Sequence, residues 1–362
     1  MAASLLRNRD LLILEHNPGP AAKIKISGGG RCNITNTSLS PSRYLGDPGF
    51  IEEVFRFFDN EELLRFLLKR GLEPVLRKEG HYFCKESSRE LIDLFITSTS
   101  GVPIRYGAEV YEVKREPGGF CVKSSAGEFH SEKVLVSTGG LSYPSLGASA
   151  AGFEIAESFG HTVVPPRPAL VGLTLQPEQF WMKELSGLSL PVSVRVGRRE
   201  IAADMLFAHR GISGPAILNT SLYWNRGSIT VDFLPSHRLK RLFKNQKKSA
   251  MSQIPLPRRF VKAFFEVMNL PDTPYGAMSE EQKQRLSLLK SYSFAPAGTF
   301  GYTKAEVTKG GVSTDEMDPR TMQSRLVEGL YFAGEVVDVT GEVGGYNFQW
   351  AFSSATVVAK SV

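Results

Sequence analysis

The stretch that decides the fold lies near the C-terminus and reads Leu330-Tyr-Phe-Ala-Gly-Glu-Val-Val-Asp338, followed by Thr340-Gly-Glu-Val-Gly-Gly-Tyr-Asn347. Its first residues are apolar and typical of a strand, which ends at a glycine followed by an acid. Gly344 and Gly345 then precede an amphipathic run without a helix breaker. A strand, an acidic turn, paired glycines and a helix N-terminus are typical of a dinucleotide site. There Asp338 would bind sugar hydroxyls, and the glycines would admit a flavin or a phosphate. The same residues are equally typical of a buried strand and a glycine turn before a packing helix.

The bulk composition indicates an ordinary globular chain. It has 362 residues, of which 42% are hydrophobic and 22% charged, and this length suggests about two domains. No apolar stretch approaches the ~18 residues that would span a membrane. The three cysteines (Cys32, Cys84 and Cys121) are widely separated and odd in number. They predict neither a disulfide framework nor a metal site, so a cytoplasmic location is expected.

The basic charge of the chain is mild. The formal net charge is +6, and the densest basic segment is 238–248. A solvated helix face accounts for this segment better than an RNA site does, so nucleic acid is not expected as a partner. An anionic substrate or cofactor explains a mild basic excess equally well.

Two glycine-rich loops follow predicted strands in the N-terminal half. Leu11–Leu14 is an apolar strand that ends at Glu15, where dinucleotide folds hold ribose hydroxyls, although any surface loop can carry such a glutamate. The stretch Ser27-Gly-Gly-Gly-Arg-Cys-Asn33 suits a loop whose backbone lies against a flat or charged group. Cys32 is predicted to be a small packed residue rather than a nucleophile. A second such strand, 133–137, runs into Thr138-Gly-Gly140.

The order of these segments predicts an α/β fold with an insertion. A discontinuous Rossmann-like domain is expected over residues 1–166 and 296–362, with an inserted substrate or cap domain over 167–295. The inserted domain is expected to be β-rich over about 167–235 and helical over about 236–295. Pro165–Pro168 is the predicted linker, and 309–311 (Lys-Gly-Gly) is a predicted turn. Ser213 is the expected N-cap of a short helix.

The motifs resemble those of the YhiN-type flavoproteins, also called the BaiN/RdsA-like or aminoacetone-oxidase-like family, within the two-dinucleotide-binding-domain group. The likeness runs nearly the whole length. It rests on the motifs at 27–33, Phe207-Ala-His-Arg-Gly-Ile-Ser-Gly-Pro215, Val307-Thr-Lys-Gly-Gly-Val312 and Gly344-Gly-Tyr-Asn-Phe-Gln-Trp350. The resemblance implies non-covalent FAD and an FAD-dependent oxidoreductase. Reactions attributed to the family include amine oxidation and reduction of unsaturated steroid acids.

The resemblance also implies which residues hold FAD. It places Glu15 on the adenosine ribose, the 28–33 loop at the pyrophosphate and flavin, and a backbone group of Val110 at the adenine. Glu335 and Asp338 would lie near the ribityl chain and phosphate, with Gly344, Gly345 and Asn347 at the isoalloxazine ring. The full set of expected cofactor-binding residues is Glu15, Lys23, Ser27, Gly28, Gly29, Gly30, Arg31, Cys32, Asn33, Val110, Thr138, Gly139, Gly140, Gly334, Glu335, Asp338, Gly344, Gly345, Tyr346 and Asn347.

The N-terminus departs from the family pattern. The family opens with a strand and a G-x-G-x-x-G turn, whereas this chain opens with Met1-Ala-Ala-Ser-Leu-Leu6, which resembles the middle of the helix that follows that turn. On the usual dimensions of a strand and turn, roughly 10 to 20 residues, including the central strand of the sheet, are expected to be missing. Such a chain is expected to be unstable or to hold FAD poorly.

The sequence predicts hydride transfer at flavin N5 with a small organic substrate. Arg31, His209 and Arg210 are the candidate catalytic residues, since arginines can hold an anionic group and a histidine can transfer a proton near neutral pH. NAD(P)H is a possible reductant that would dock directly at the flavin, because a second G-x-G-x-x-G is absent. The alternative is a non-catalytic nucleotide-binding or RNA-binding protein with a degenerate dinucleotide site.

Overall fold

A computed structural model describes all residues from Met1 to Val362, and they form two compact units. Unit 1 comprises Met1–Pro168 and Ala305–Val362, and unit 2 comprises Ala169–Lys304. The strands are, in chain order, β1 (Ile13–Glu15), β2 (Asn33–Asn36), β3 (Tyr44–Leu45), β4 (Val75–Leu76), β5 (His81–Phe83), β6 (Ile104–Tyr106), β7 (Val110–Glu116), β8 (Gly119–Ser124), β9 (Gly127–Ser131), β10 (Val134–Val136), β11 (Val163–Ala169), β12 (Leu173–Thr174), β13 (Ser189–Val196), β14 (Arg199–Ala208), β15 (Gly211–Ser213), β16 (Ile229–Asp232), β17 (Tyr292–Phe294), β18 (Gly298–Thr299), β19 (Val307–Val312), β20 (Leu330–Phe332) and β21 (Thr340–Gly341). The α-helices are α1 (Ala2–Leu5), α2 (Ala22–Ile26), α3 (Pro48–Phe57), α4 (Asn60–Leu68), α5 (Arg89–Ser98), α6 (Ala151–Ser158), α7 (Pro215–Tyr223), α8 (Leu239–Leu242), α9 (Arg258–Val267), α10 (Glu280–Ser287) and α11 (Tyr346–Ser361).

Unit 1 is built around short parallel strand pairs and the C-terminal helix α11. Strand β1 pairs in parallel with β6, and β10 pairs in parallel with β20. All three residues of β20 are buried, which explains why it reads as a purely apolar run. Trp350 of α11 is 1% exposed and belongs to the same hydrophobic core as β20. The fold is therefore of the mixed α/β class, as the sequence predicts.

A three-stranded antiparallel meander, β7-β8-β9, forms another part of unit 1. Its central strand places Phe120 and Val122 in the core. Because successive side chains of a strand point to opposite faces, Cys121 and Lys123 lie on the outer face.

Unit 2 has its own core, built on a seven-stranded sheet with the order β17-β16-β13-β14-β15-β12-β18. All of its strand pairs are antiparallel. Helix α9 buries one face, which carries Phe260, Val261, Phe264 and Phe265. The sheet takes β17 and β18 from the part of the chain after residue 290, and β17 lies within the segment, about 236–295, where the sequence pattern favoured helices.

Two predictions concern the boundary of unit 1, and one of them is wrong. The division between the units falls directly after the predicted linker Pro165–Pro168, and the same residues also form part of β11, which pairs with β19. Residues 309–311 are not a turn, because they lie inside β19. Gly310 has a φ of +84°, and a Cβ there would lie 2.7 Å from the carbonyl oxygen of Pro165. This close approach of two backbones explains a glycine in the middle of a strand.

Two local predictions in unit 2 also need correction. The N-cap of α7 is Gly214 rather than Ser213, since proline at 215 starts the helix directly after a glycine with a φ of +84°. The basic segment 238–248 is not a helix face, because helix α8 covers only Leu239–Leu242. No helix in the structure is both long enough and apolar enough to cross a membrane.

Candidate cofactor site

The two ends of the chain meet in unit 1. Strands β3 and β21 pair with Tyr44 opposite Gly341. The side-chain amide of Asn36 donates to the carbonyl oxygen of Gly344 at 3.3 Å, and the Tyr44 hydroxyl donates to the carbonyl oxygen of Tyr346 at 2.8 Å. The glycine turn before α11 is therefore fixed against residues more than 300 positions earlier in the chain.

The glycine turn leaves the N-terminus of α11 without a side-chain cap. Gly344 and Gly345 have φ angles of +136° and +90°, and a Cβ on Gly345 would lie 2.7 Å from the backbone of Thr35. Only glycine fits here without moving the neighbouring strand. The uncapped N–H groups give this 16-residue helix a positive end suited to an anion or an electron-rich ring.

The second glycine cluster is the turn Ser27–Gly30. Its glycines Gly28, Gly29 and Gly30 have φ angles of +55°, +65° and +84°. A Cβ on Gly29 would meet nothing within 4 Å, so the backbone faces open space there, whereas a Cβ on Gly28 would lie 2.9 Å from the backbone nitrogen of Asn33. Successive residues in such conformations turn their N–H groups into anion-binding concavities.

Cys32 follows this turn and is fully buried. The hydrogen bond with the thiol of Cys84 and the burial both raise the pKa of Cys32, so this thiol stays protonated and unreactive. The backbone N–H of Cys84 donates to the carbonyl oxygen of Arg31 at 3.0 Å and holds the loop from behind. The side chain of Arg31 is exposed.

Glu335 links segments that lie far apart in the chain, and two of them, around Lys23 and Gly140, are predicted by the sequence to lie at the cofactor. One of its carboxylate oxygens accepts from the Lys23 ammonium at 2.8 Å, and the other accepts from the backbone N–H of Thr308 at 2.8 Å. A Cβ on Gly140 would lie 2.6 Å from Cβ of Thr308 and 2.9 Å from the Glu335 carboxylate. Gly139 has a φ of +80° and, like Gly29, has open space where a Cβ would point. The open backbone at Gly29 and Gly139 leaves room for a dinucleotide, whereas Gly140 is packed against Thr308 and Glu335.

Glu15 lies at the end of β1. Its carboxylate accepts from the backbone N–H of Asn17 at 2.9 Å, and its side chain is 32% exposed. Val110 begins β7 two residues after Ala108, whose N–H donates to the Glu15 carbonyl oxygen at 3.0 Å. Glu15 and Val110 are thus close neighbours.

Several side chains that the sequence predicts at the cofactor already form hydrogen bonds within the protein. The amide of Asn347 both accepts from the N–H of Gly341 at 2.8 Å and donates to its carbonyl oxygen at 2.9 Å. Tyr346 is buried, and its hydroxyl donates to the carbonyl oxygen of Ser38 at 3.3 Å. The carbonyl oxygen of Gly334 accepts from the indole of Trp350 at 3.0 Å. These side chains hold the turn in place, so the groups that remain to bind a ligand there are mainly backbone N–H and C=O groups.

The acid at Asp338 is half-buried in the same region. Burial raises the pKa of its carboxyl, and a hydrogen bond from the backbone of Gly310 opposes this. Its own N–H donates to the carbonyl oxygen of Val312 at 2.9 Å.

The three candidate catalytic residues lie in different units. Arg31 is in unit 1, whereas His209 and Arg210 form the turn between β14 and β15 in unit 2. The guanidinium of Arg210 lies 5.0 Å from the ring centre of Phe300.

Sequence reasoning missed three residues next to this site. Thr308 binds Glu335 as described, and its hydroxyl accepts from the N–H of Leu141 at 2.8 Å. Burial, helped by the neighbouring Arg167, lowers the pKa of Lys309 to about 8. His81 Nδ1 lies 3.4 Å from the side-chain amide of Asn33, and burial lowers the pKa of its imidazole. Thr308 and Lys309 belong to the motif at 307–312, which was the available signal, whereas His81 carried none.

Comparison with known proteins defines the class. The HI0933-like protein Rossmann domain matches residues 1–361. The ribosomal RNA dihydrouridine synthase of Escherichia coli (strain K12) is 36% identical over 368 positions that cover 98% of this chain and 92% of that protein. The enzyme of the same name from Haemophilus influenzae is 35% identical and covers 100% of this chain and 94% of that protein. The 3-dehydro-bile acid delta(4,6)-reductase of Clostridium scindens is 29% identical and covers 97% of this chain and 92% of that protein.

A solved structure shares the fold. The 3-ketosteroid-delta4-(5alpha)-dehydrogenase from Rhodococcus jostii RHA1 aligns with 100% of this chain and 93% of its own, with a TM-score of 0.50 and 14% identity. Fold, site and family together define an enzyme of the FAD-dependent oxidoreductase class. The chain belongs to the HI0933-like Rossmann family, so the resemblance stated from its motifs is confirmed. A non-catalytic nucleotide- or RNA-binding protein is not favoured.

Proposed function

We propose that this protein is an FAD-dependent reductase that saturates a carbon–carbon double bond conjugated to a carbonyl group, and that its substrate is a uracil ring in ribosomal RNA. The observation that carries the proposal is the pair of relatives at 36% and 35% identity, which share one name and cover 98% and 100% of this chain. The third relative, at 29% identity, is also named as a reductase of an unsaturated compound.

The reaction type follows from the chemistry that these names share. In uracil the C5–C6 double bond is conjugated to the C4 carbonyl, which makes C6 electrophilic. When bound, FAD in its reduced form supplies a hydride to such a carbon. The chain must then hold the ring, stabilise the negative charge that develops on the carbonyl oxygen, and deliver a proton to the neighbouring carbon.

Unit 1 is proposed to hold the cofactor. The backbone of Gly28–Gly30 and the N-terminus of α11 would bind the pyrophosphate and the flavin, and Glu15 would bind the adenosine ribose. Lys23, fixed by Glu335 at 2.8 Å, would place a positive charge beside the phosphates. Thr138, Gly139 and Gly140 would line the cofactor.

The charge-stabilising role is assigned to Arg31, the candidate that lies in unit 1 with the residues proposed to hold the cofactor. Its guanidinium can donate to a carbonyl oxygen that gains negative charge. Arg31 is exposed beside the glycine turn, in which a Cβ on Gly29 would meet nothing within 4 Å.

The basic segment of unit 2 supports RNA as the substrate, although the sequence argued against nucleic acid. Six exposed cations occur without an acidic residue between 236 and 248, and none of them forms an ion pair: Arg238, Lys240, Arg241, Lys244, Lys247 and Lys248. The segment is anchored by Phe243, which is 3% exposed and stacks on Tyr275 with ring centres 4.4 Å apart. A fixed segment with unpaired cations suits phosphate contacts.

The test uses the purified FAD-loaded protein, unmodified ribosomal RNA transcripts and NADPH or NADH, which we propose as the reductant. The expected product is RNA in which one or more uridines have gained two hydrogens, detected by mass spectrometry of the digested RNA. Reducing the flavin with dithionite tests the substrate independently of the nicotinamide reductant. If the chemically reduced protein leaves the RNA unmodified, ribosomal RNA is not its substrate. If it then reduces an unsaturated bile acid ketone under the same conditions, that compound class is the substrate instead.

A charge-reversal variant checks the RNA surface separately. Lys247→Glu with Lys248→Glu should weaken RNA binding roughly 10-fold and reduce its salt dependence, since phosphate contacts release counterions. Reduction of the flavin by the nicotinamide should not change. The matched control is Lys69→Glu with Lys262→Glu, which changes the net charge equally elsewhere. If both double variants weaken RNA binding equally, segment 238–248 has no specific role in RNA binding.

A further inference from the structure

The outer face of the meander in unit 1 carries a side-chain cluster that the proposed function does not use. Cys121 lies in the central strand β8, directly opposite His130 of β9. Its neighbours Phe120 and Val122 point into the core, so its thiol points to the outer face. Cys121 is nevertheless only 1% exposed.

The groups around the thiol are of the types that bind metals in proteins. Nδ1 of His130 lies 3.1 Å from a carboxylate oxygen of Glu116, which ends β7. The Cys121 thiol donates to a carboxylate oxygen of Glu128 at 3.2 Å. One donor atom each from Glu116, Cys121 and His130 lies within 4.8 Å of the other two. Three strands thus contribute to one cluster.

The spacing suits a zinc ion. Zinc bonds of about 2.0–2.3 Å in tetrahedral geometry place donor atoms roughly 3.3–3.8 Å apart. The side chains of Glu116 and His130 are 42% and 63% exposed, so small rotations can bring their donors to that spacing. A thiolate with imidazole and carboxylate ligands favours zinc over magnesium or calcium, which prefer oxygen alone.

We propose that Glu116, Cys121 and His130 form a binding site for Zn²⁺, with Glu128 as the fourth ligand. On binding, the Cys121 sulfur loses its proton to solvent and bonds to the metal. The ion links β7, β8 and β9, so its role is structural, and it uses none of the residues proposed to hold FAD.

Two lysines on the same face pair with a different carboxylate from those of the cluster. Lys114 and Lys123 lie opposite Cys121 and Glu128 in the strand register. Both ammonium groups are held by Glu112, at 2.7 Å and 3.2 Å. The carboxylates of Glu116 and Glu128 therefore remain for a cation.

The experiment adds ZnCl₂ to purified FAD-containing protein that was first treated with a chelator, and removes excess metal by desalting. We expect about one zinc per chain by elemental analysis, with an X-ray absorption spectrum showing one sulfur at about 2.3 Å and nitrogen or oxygen at about 2.0–2.2 Å. Zinc should also raise the melting temperature. His130→Gln and Glu116→Gln, both at exposed positions that tolerate substitution, should each bind zinc at least 10-fold more weakly.

Controls make the result decisive. Cys121→Ser should remove the sulfur signal, whereas His237→Gln, at an exposed histidine of unit 2, should change nothing. Substoichiometric zinc, a spectrum without sulfur, or unchanged affinity in His130→Gln and Glu116→Gln would overturn the proposal. The readouts are independent of activity, so their outcome and that of the RNA assay are separate.

Discussion

The two units of this protein are stabilised by different means. The centre of unit 2 is a cluster of packed aromatic rings, in which Trp181, Phe264 and Tyr292 have ring centres 5.8–6.3 Å apart. The site region of unit 1 instead depends on bare backbone and polar links between distant segments, such as Asn36 with Gly344. Substitutions in unit 2 should therefore act through lost volume, and substitutions in the site region through backbone geometry and cofactor affinity.

The largest expected effect is a truncation in unit 2. Phe260 is fully buried, and its ring centre lies 4.8 Å from that of Phe233. Phe260→Ala should lower the free energy of unfolding by about 3–5 kcal/mol, because it leaves a cavity. FAD content, read from flavin absorbance at a temperature where the protein is folded, should not change.

The control for this truncation is Phe180→Ala, at a ring that is 43% exposed. It should cost less than about 1 kcal/mol in the same denaturant titration. Equal costs at positions 180 and 260 would contradict the account of the unit 2 core, and loss of FAD from folded Phe260→Ala would contradict the assignment of FAD to unit 1.

The next effect falls on the glycine turn of unit 1. Gly345→Val places a side chain against the backbone of Thr35 at a φ of +90°. It should destabilise the protein by roughly 2–4 kcal/mol, and the displaced turn should abolish FAD retention during gel filtration.

Gly227 of unit 2 offers a matched control, because its φ is +85° and a Cβ there meets nothing within 4 Å. Gly227→Val should cost only the backbone strain of roughly 1–2 kcal/mol and should leave FAD bound. If both variants retain FAD equally, the close packing at Gly345 does not shape the cofactor site.

A smaller effect is expected at the junction formed by Glu335. Glu335→Ala leaves the N–H of Thr308 without its acceptor and should cost about 1–3 kcal/mol. Glu335→Gln keeps an acceptor and loses only the partly exposed ion pair with Lys23, so it should cost less than about 1 kcal/mol. Thermal unfolding measures both, and a Gln variant as unstable as the Ala variant would show that charge, rather than the hydrogen bond, matters there.

The last effect concerns Lys309 and develops gradually with pH. Its folded-state pKa is about 8, below the ordinary 10.5, so the unfolded chain binds more protons between these values. Stability should therefore rise with pH across this window, with this residue contributing about 1 kcal/mol per pH unit. Denaturant titrations at pH 7.5 and 9.5 should show this rise in the free energy of unfolding for the parent protein and for the control Lys69→Met, but not for Lys309→Met. A rise of the same size in Lys309→Met would contradict the lowered pKa.

The same contrast explains what the sequence could predict. The α/β class was predictable because β20 is a short apolar run followed by glycines, a pattern set by local backbone chemistry. Glu15 and the two glycine clusters were identifiable for the same reason. Thr308 lies within the motif at 307–312, but its hydrogen bonds with Glu335 and Leu141, like the contact of His81 with Asn33, join residues far apart in the chain, and no local pattern reveals such contacts.

The differences have physical causes too. Pro165–Pro168 lies where the two units divide, but proline is compatible with extended backbone, and the segment is also part of β11 beside the close approach at Gly310. Segment 238–248 looked like a helix because cations alternate with apolar residues, but only Leu239–Leu242 is helical. The apolar residues serve instead to anchor an irregular segment.

The most direct test of the account is hydrogen–deuterium exchange of the protein with and without FAD. We expect FAD to slow exchange in peptides that cover 27–33, 138–142, 306–310 and 341–347, all within unit 1. Protection confined to peptides from 169–304 would contradict the claim that the glycine-lined region of unit 1 holds the cofactor.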